Sequence, residues 1–201
     1  MIKNLLFDLG GVIFDIRRER CVKAFEQLGL AEADSLLDNS CQRGVFLEIE
    51  SGTIEPDEFR NRIRAMIPHD VTDQEIDNAF CQFLIEIPRH RLEALRQLRN
   101  RYRIYMLSNT NAIMWNSKIA ENFRQEGLTV NDYFDGIITS FEVKAVKPDR
   151  KIFECVINRL GIDPAETLFL DDAQGNLDSA ATLGFHTALV AHGSEFIDLI
   201  P

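Results

Sequence analysis

The sequence predicts an α/β protein: a doubly wound, parallel-sheet, Rossmann-like core with an inserted α-helical cap domain. Three observations carry this. Short apolar runs recur along the chain and each ends in polar residues; amphipathic helical patterns separate most of them; one long early stretch has helical patterning and no run suited to a buried strand. At 201 residues, 45% hydrophobic and 27% charged, the chain is long enough for one sizeable core plus a smaller accessory domain.

The first run, residues 2–7, reads as a buried strand that breaks at Asp8-Leu9-Gly10-Gly11 into a tight turn. From about residue 17 to about 88 the texture changes. Ser51-Gly52 interrupts the chain, Pro56 followed by Asp57 and Glu58 suits a first helical turn, and Phe59, Ile63 and Ile67 form an apolar stripe. Thr72 and Glu75 make a capping box opening a helix with Ile76, Phe80 and Phe83. Phe25, Phe46, Phe59, Phe80 and Phe83 read as core residues or as the lining of a substrate pocket.

Strand and helix then alternate. Residues 89–100 carry Leu92, Leu95 and Leu98 on one helical face; 104–107 is a strand ended by Ser108-Asn109-Thr110; 112–123 is a helix containing Trp115. The strand 136–138 ends at Thr139-Ser140, the helix 151–160 follows, the strand 167–170 ends at Asp171-Asp172, and helix 177–183 leads to a last strand over 186–190. The expected core is therefore 1–15 and 92–201, with the cap at 16–91. Ligands of such sheets bind outside the carboxyl ends of the strands, where Asp8, Ser108 and Asp172 should converge.

Composition narrows the partners. With 32 acidic against 22 basic residues the net charge is −10, which repels nucleic acid and anionic membrane surfaces. Cys21, Cys41, Cys81 and Cys155 form no C-x-x-C pair and read as reduced core thiols. The first apolar run is stopped by Asp8, as a signal peptide would not be, and no segment approaches a membrane span, so the cytoplasm is the expected compartment. His69, His90, His186 and His192 make no metal-ligand spacing, and the sequence leaves monomer or homo-oligomer open.

Four clusters carry the chemistry: Phe7-Asp8-Leu9-Gly10-Gly11-Val12-Ile13; Leu107-Ser108-Asn109-Thr110; Val146-Lys147-Pro148; and Phe169-Leu170-Asp171-Asp172 with Asn176 beyond. Each has an ordinary reading of its own. Asp8 suits a strand-end turn, Ser108-Asn109-Thr110 and Asp171-Asp172 suit helix caps, and a lysine before a proline that opens a helix is commonplace. All four in this order resemble the motif set of the haloacid dehalogenase-like superfamily, across most of the chain outside the insert.

That resemblance implies a phosphohydrolase in which Asp8 attacks phosphorus and forms an aspartyl-phosphate, splitting one displacement into two. It implies Mg2+ held by Asp8, the carbonyl of Gly10 and Asp172, with Asp171 and Asn176 behind them. Lys147 would offset the accumulating charge, and the Ser108 hydroxyl and Asn109 N–H would bind the phosphate. The partner so implied is a small phosphorylated metabolite, sugar phosphates first, selected by the cap.

One position departs from the pattern. Phosphatases of this superfamily usually carry a second aspartate two residues after the nucleophile as general acid and base; here that residue is Gly10, which cannot transfer a proton. Asp15 is near in sequence, although a structural role at the junction into the insert suits it better. Two alternatives follow: a 2-haloacid dehalogenase, whose aspartate attacks carbon without a metal, and a phosphate-ligand-binding protein with weak turnover.

Overall fold

Along the central strands, alternate residues sort to opposite faces of one sheet. Leu5 and Phe7, Ile104 and Met106, and Leu168 and Leu170 enter one apolar core; Leu6, Tyr105, Leu107 and Phe169 enter the other. Both faces are therefore covered, which is why these strands read as continuous apolar runs. The computed structural model describes residues 1–38 and 42–201. Cys41 lies outside the described residues.

Strand β1 (Asn4–Phe7) precedes helices α1 (Arg18–Gln27), α2 (Ala33–Leu36), α3 (Gly44–Glu50), α4 (Pro56–Met66) and α5 (Asp73–Cys81). The chain continues through α6 (Arg89–Leu98), β2 (Arg103–Ser108), α7 (Ala112–Met114), α8 (Ala120–Phe123), α9 (Val130–Tyr133), β3 (Gly136–Thr139), α10 (Ser140–Val143), α11 (Arg150–Leu160), β4 (Thr167–Asp171), α12 (Gln174–Ala181) and β5 (His186–Leu189). The sheet order is β3-β2-β1-β4-β5 and every neighbouring pair is parallel. This is the doubly wound α/β architecture that the sequence predicts. After β3 the chain crosses back to lay β4 on the other side of β1, so the crevice between the ends of β1 and β4 is the topological switch point. Phe7 pairs with Leu170 there, and the Asp8 N–H donates to the Leu170 carbonyl at 2.9 Å.

The elements differ from expectation in four places. The helix expected over 112–123 is broken by a π-helical turn, Trp115–Ile119. Ser117 Oγ donates to the Ile113 carbonyl at 2.6 Å, competing with the backbone amide for that acceptor. The cap of α7 is Asn111, which accepts from the Met114 N–H at 3.0 Å, and not Ser108-Asn109-Thr110. Pro148 lies before the first turn of α11, where Asp149 caps by accepting from Lys151 N–H; the Lys147-Pro148 bond is cis. β5 is an edge strand with Leu189 exposed, where the sequence suggests a buried one. Of the described cysteines Cys21 is fully buried, whereas Cys81 and Cys155 are only half-buried; all three are free thiols.

Helices α1 to α5 pack around Phe25, Phe46, Phe59 and Phe80, whose ring centroids lie 5.1–6.0 Å apart, mostly edge to face. Thr72 and Glu75 form the expected capping box. The two segments that join these helices to the sheet run side by side: Asp15 N–H donates to Glu86 O, Ile85 N–H to Asp15 O, and Arg17 N–H to Phe83 O. Across the same junction Arg91 forks onto both Glu195 oxygens at 2.9 and 3.0 Å and reaches Asp15 Oδ1 at 2.8 Å. At the far end, Ser140 Oγ donates to the Glu50 carbonyl at 2.6 Å. A Cβ at Gly52 would stand 2.0 Å from the Phe141 carbonyl oxygen, so this close approach requires glycine there.

Arg91→Met should cost about 2 kcal/mol in urea unfolding, below the range for a fully buried pair because Asp15 and Glu195 stay partly in solvent. A loss under about 0.5 kcal/mol would show that the fork contributes nothing to the junction.

Candidate active site

The site is assembled where β1, β2 and β4 end. Asp8 follows β1, Ser108 closes β2, Asp171 closes β4, and Lys147 comes from the segment ahead of α11. Lys147 is 1% exposed, and its ammonium lies 2.7 Å from Asp8 Oδ1 and 2.7 Å from Asp171 Oδ2. Its Nζ also sits 5.7 Å from the centre of the Phe169 ring. Burial alone would strip the charge from this amine. Asp171 and Asp8 outweigh that effect and hold its pKa above the ordinary lysine value, so it is a fixed cation.

Asp171 has no oxygen to spare. Oδ2 takes the Lys147 ammonium, while Oδ1 accepts from Asn176 Nδ2 at 2.9 Å and from the Ala173 N–H at 2.8 Å. It is wholly buried, and these bonds fix its carboxylate plane and with it the ammonium. Asp172 by contrast is exposed at the mouth of the site. Gly11 lies against it: a Cβ there would stand 2.1 Å from Asp172 Oδ2, and Gly11 has φ +75, so both space and backbone exclude a side chain.

Among the described residues, Asp8, Asp171 and Asp172 form a cluster in which one carboxylate oxygen from each lies within 4.8 Å of the others. Three carboxylates around one ammonium leave the site with an excess of negative charge. Burial, then Asp171 and Asp172, push the Asp8 pKa well above the usual carboxylate value against the pull of Lys147; loss of solvent and Asp171 raise that of Asp172. A divalent cation answers such a charge excess, and oxygen donors of this kind suit Mg2+. Asp8 and Asp172 are the two carboxylates left for such a cation, since Asp171 is committed to Lys147 and its other donors.

Ser108 is buried, and its hydroxyl donates within the turn to the Asn109 carbonyl at 3.3 Å. The Asn109 side chain does something the sequence does not announce: it donates to the Lys147 carbonyl at 3.0 Å and accepts from the Lys147 N–H at 2.8 Å. This reciprocal clamp fixes the backbone from which the lysine projects. Asp15 is bound to Arg91 and does not line the cavity over Asp8, consistent with a place at the junction.

That cavity is walled by Asp8, Gly10, Lys147, Asp172 and Asn176 from the core and by Ile16, Phe83 and Glu50 from the insert side. A second, more apolar compartment shares Gly10, Ile16, Gln42, Glu50, Phe83 and Asn109 and adds Phe80, Leu84, Met114 and Ile119. So Phe80 and Phe83 do line a pocket, whereas Phe25, Phe46 and Phe59 are core. Glu50 is the residue the sequence concealed. It ends α3, and burial pushes its pKa up to about 7 against the opposing pull of Lys147.

A family model described as haloacid dehalogenase-like hydrolase matches residues 2–184. The chain belongs to that family. As a haloacid dehalogenase-like hydrolase it is 38% identical over 196 residues to a D-ribitol-5-phosphate phosphatase of Bacteroides thetaiotaomicron, across 98% of this chain and 95% of the relative. It is also similar to a crystal structure of a family enzyme from the same organism, in complex with magnesium and inorganic phosphate: TM-score 0.93, 40% identity, all of both chains covered. A hydrolase from Porphyromonas gingivalis described as HAD-like superposes with a TM-score of 0.92 at 35% identity, covering 99% of this chain and 96% of that one.

Lys147→Met removes the ammonium and leaves two buried carboxylates facing each other. The expected loss is about 3 kcal/mol at neutral pH in urea unfolding. A loss under about 1 kcal/mol would mean that the carboxylates relax apart without it.

Proposed function

We propose that this hydrolase is a phosphomonoesterase that requires Mg2+ and acts on a small phosphorylated metabolite, with sugar and sugar-alcohol phosphates first. The observation that carries it is the Asp8 carboxylate held against a buried ammonium beside a second, solvent-facing carboxylate, Asp172. The names of the relatives, a sugar-alcohol phosphate phosphatase and a magnesium–phosphate complex, support the substrate class and the metal. A dehalogenase attacking carbon needs no cation and has no use for a site with so much excess negative charge.

On this reading the free Asp8 oxygen attacks phosphorus, the bond from phosphorus to the leaving oxygen breaks, and the phosphoryl group passes to Asp8. Lys147 holds its positive charge beside the group in transfer without moving, since Asp171 fixes it from the other side. The Ser108 hydroxyl and the Asn109 N–H are assigned to the phosphate oxygens, Asp171 and Asn176 to holding the lysine. Mg2+, held by Asp8, Asp172 and the Gly10 carbonyl, would screen the repulsion between carboxylate and phosphate.

Helices α1 to α5, with the boundaries 16–91, serve as the cap: they complete the cavity with Glu50 and Phe83, excluding water and selecting the leaving group. The proposed compartment is the cytoplasm; among the described residues no helix is long and apolar enough to cross a membrane.

The test is phosphate release from ribitol 5-phosphate, other sugar phosphates and 4-nitrophenyl phosphate, with Mg2+ or with EDTA. Wild type should turn over only with the metal, and Asp8→Asn should lose at least ~10³-fold while staying folded. Folded wild type that releases no phosphate from any ester, or Asp8→Asn at wild-type rates, would overturn the assignment.

A further inference from the structure

The missing carboxylate at position 10 leaves a proton to be accounted for. An alkoxide leaving from phosphorus needs one, and the water that later attacks the phosphoryl-enzyme must lose one. Gly10 itself has room for a Cβ, which would meet the Ile16 side chain at 3.4 Å, an ordinary contact. Whatever keeps glycine there, it supplies no proton, and another group is sought on the cavity wall.

Among the described residues, the titratable groups lining the cavity are Asp8, Glu50, Lys147 and Asp172. Asp8 is the nucleophile, Lys147 is locked between two carboxylates, and Asp172 sits on the metal side. Glu50 is left. It belongs to both compartments, the polar one that contains Asp8 and Lys147 and the more apolar one beyond it. A substrate with its phosphoryl group at Asp8 and its carbon chain in the apolar compartment would carry its bridging oxygen across that shared wall. The backbone of Glu50 is tied to the core by the Ser140 hydroxyl on its carbonyl, which positions the end of α3 over the site.

We propose that Glu50, supplied by the inserted helices, is the general acid and base of the reaction in place of an aspartate at position 10. The inference rests on the phosphatase reading above. As Asp8 bonds to phosphorus and the bond to the leaving oxygen breaks, the Glu50 carboxyl gives its proton to that oxygen, releasing the alcohol and leaving a carboxylate. The carboxylate then takes a proton from water as the hydroxyl attacks phosphorus; the bond to Asp8 breaks, and phosphate, Asp8 carboxylate and protonated Glu50 result. A carboxyl that titrates near 7 suits both halves of this cycle at neutral pH. The charged groups around it are Lys147, which lowers its pKa, and the Asp8 and Asp172 carboxylates across the cavity.

The experiment compares Glu50→Gln with wild type, both with Mg2+, on ribitol 5-phosphate and on 4-nitrophenyl phosphate, whose leaving group needs no proton. Glu50→Gln should lose ~10²–10⁴-fold in kcat/KM on the alkyl ester. On the aryl ester it should still give a burst of one nitrophenolate per site, followed by slow turnover and a phosphoryl-enzyme visible by intact mass. In wild type, kcat/KM on the alkyl ester should fall as pH rises through about 7, with no matching limb on the aryl ester; this needs no variant. Equal losses on both esters without a burst, no loss at all, or wild-type profiles that coincide would overturn the role of Glu50. Each leaves the phosphatase reading intact so long as wild type hydrolyses the aryl ester in an Asp8-dependent way. If wild type releases nothing from either ester, both readings fall together.

Discussion

The Lys147 ammonium between Asp8 and Asp171 is the contact on which the arrangement of the site depends. It joins the ends of β1 and β4 to the segment leading into α11, with both N···O distances at 2.7 Å. A buried cation with one partner would be costly, and two buried carboxylates without a cation would repel; together they form a stable unit when the surrounding polar atoms are satisfied. Asn176 and the Ala173 N–H complete Asp171, the Leu9 N–H donates to the same Asp8 oxygen that meets the ammonium, and Asn109 clamps the lysine backbone. The parallel pairing of β1 with β4 then determines the separation of the carboxylates, because Phe7 and Leu170 share a register.

Much of this is legible in the sequence, because a strand buried on both faces leaves a local signature. Residues 104–107 and 168–170 are unbroken apolar runs, and the polar residues ending them are those that the sheet gathers at its carboxyl edge. Asp8, Lys147, Asp171 and Asp172 were each ambiguous alone, and only their order along the chain gave them meaning. The π-turn at Trp115–Ile119 was hidden, since it turns on one hydroxyl taking a carbonyl from its helix. The side-chain clamp of Asn109 was hidden for a related reason: its partner is a main-chain group 38 residues away.

Glu50 was illegible in a deeper sense. Its neighbourhood, Leu47-Glu48-Ile49-Glu50-Ser51-Gly52, is an ordinary amphipathic helix end, with nothing to set Glu50 apart from Glu48. What distinguishes them is docking. Glu48 pairs with Arg62 at the surface of the insert, whereas Glu50 ends the helix against α10 and faces the cavity. A group that acquires its environment only when two parts of a chain close together cannot be found by local pattern, however specific that pattern is.

The paired linkers at Asp15, Arg17, Phe83, Ile85 and Glu86 are joined through main-chain amides and carbonyls. Such bonds do not depend on which side chains the residues carry. The insert is therefore attached by a seam that tolerates substitution at most of its own positions. The helices hung on that seam, and with them the selectivity proposed for the cap, can therefore change while the ends of β1 and β4 keep their geometry.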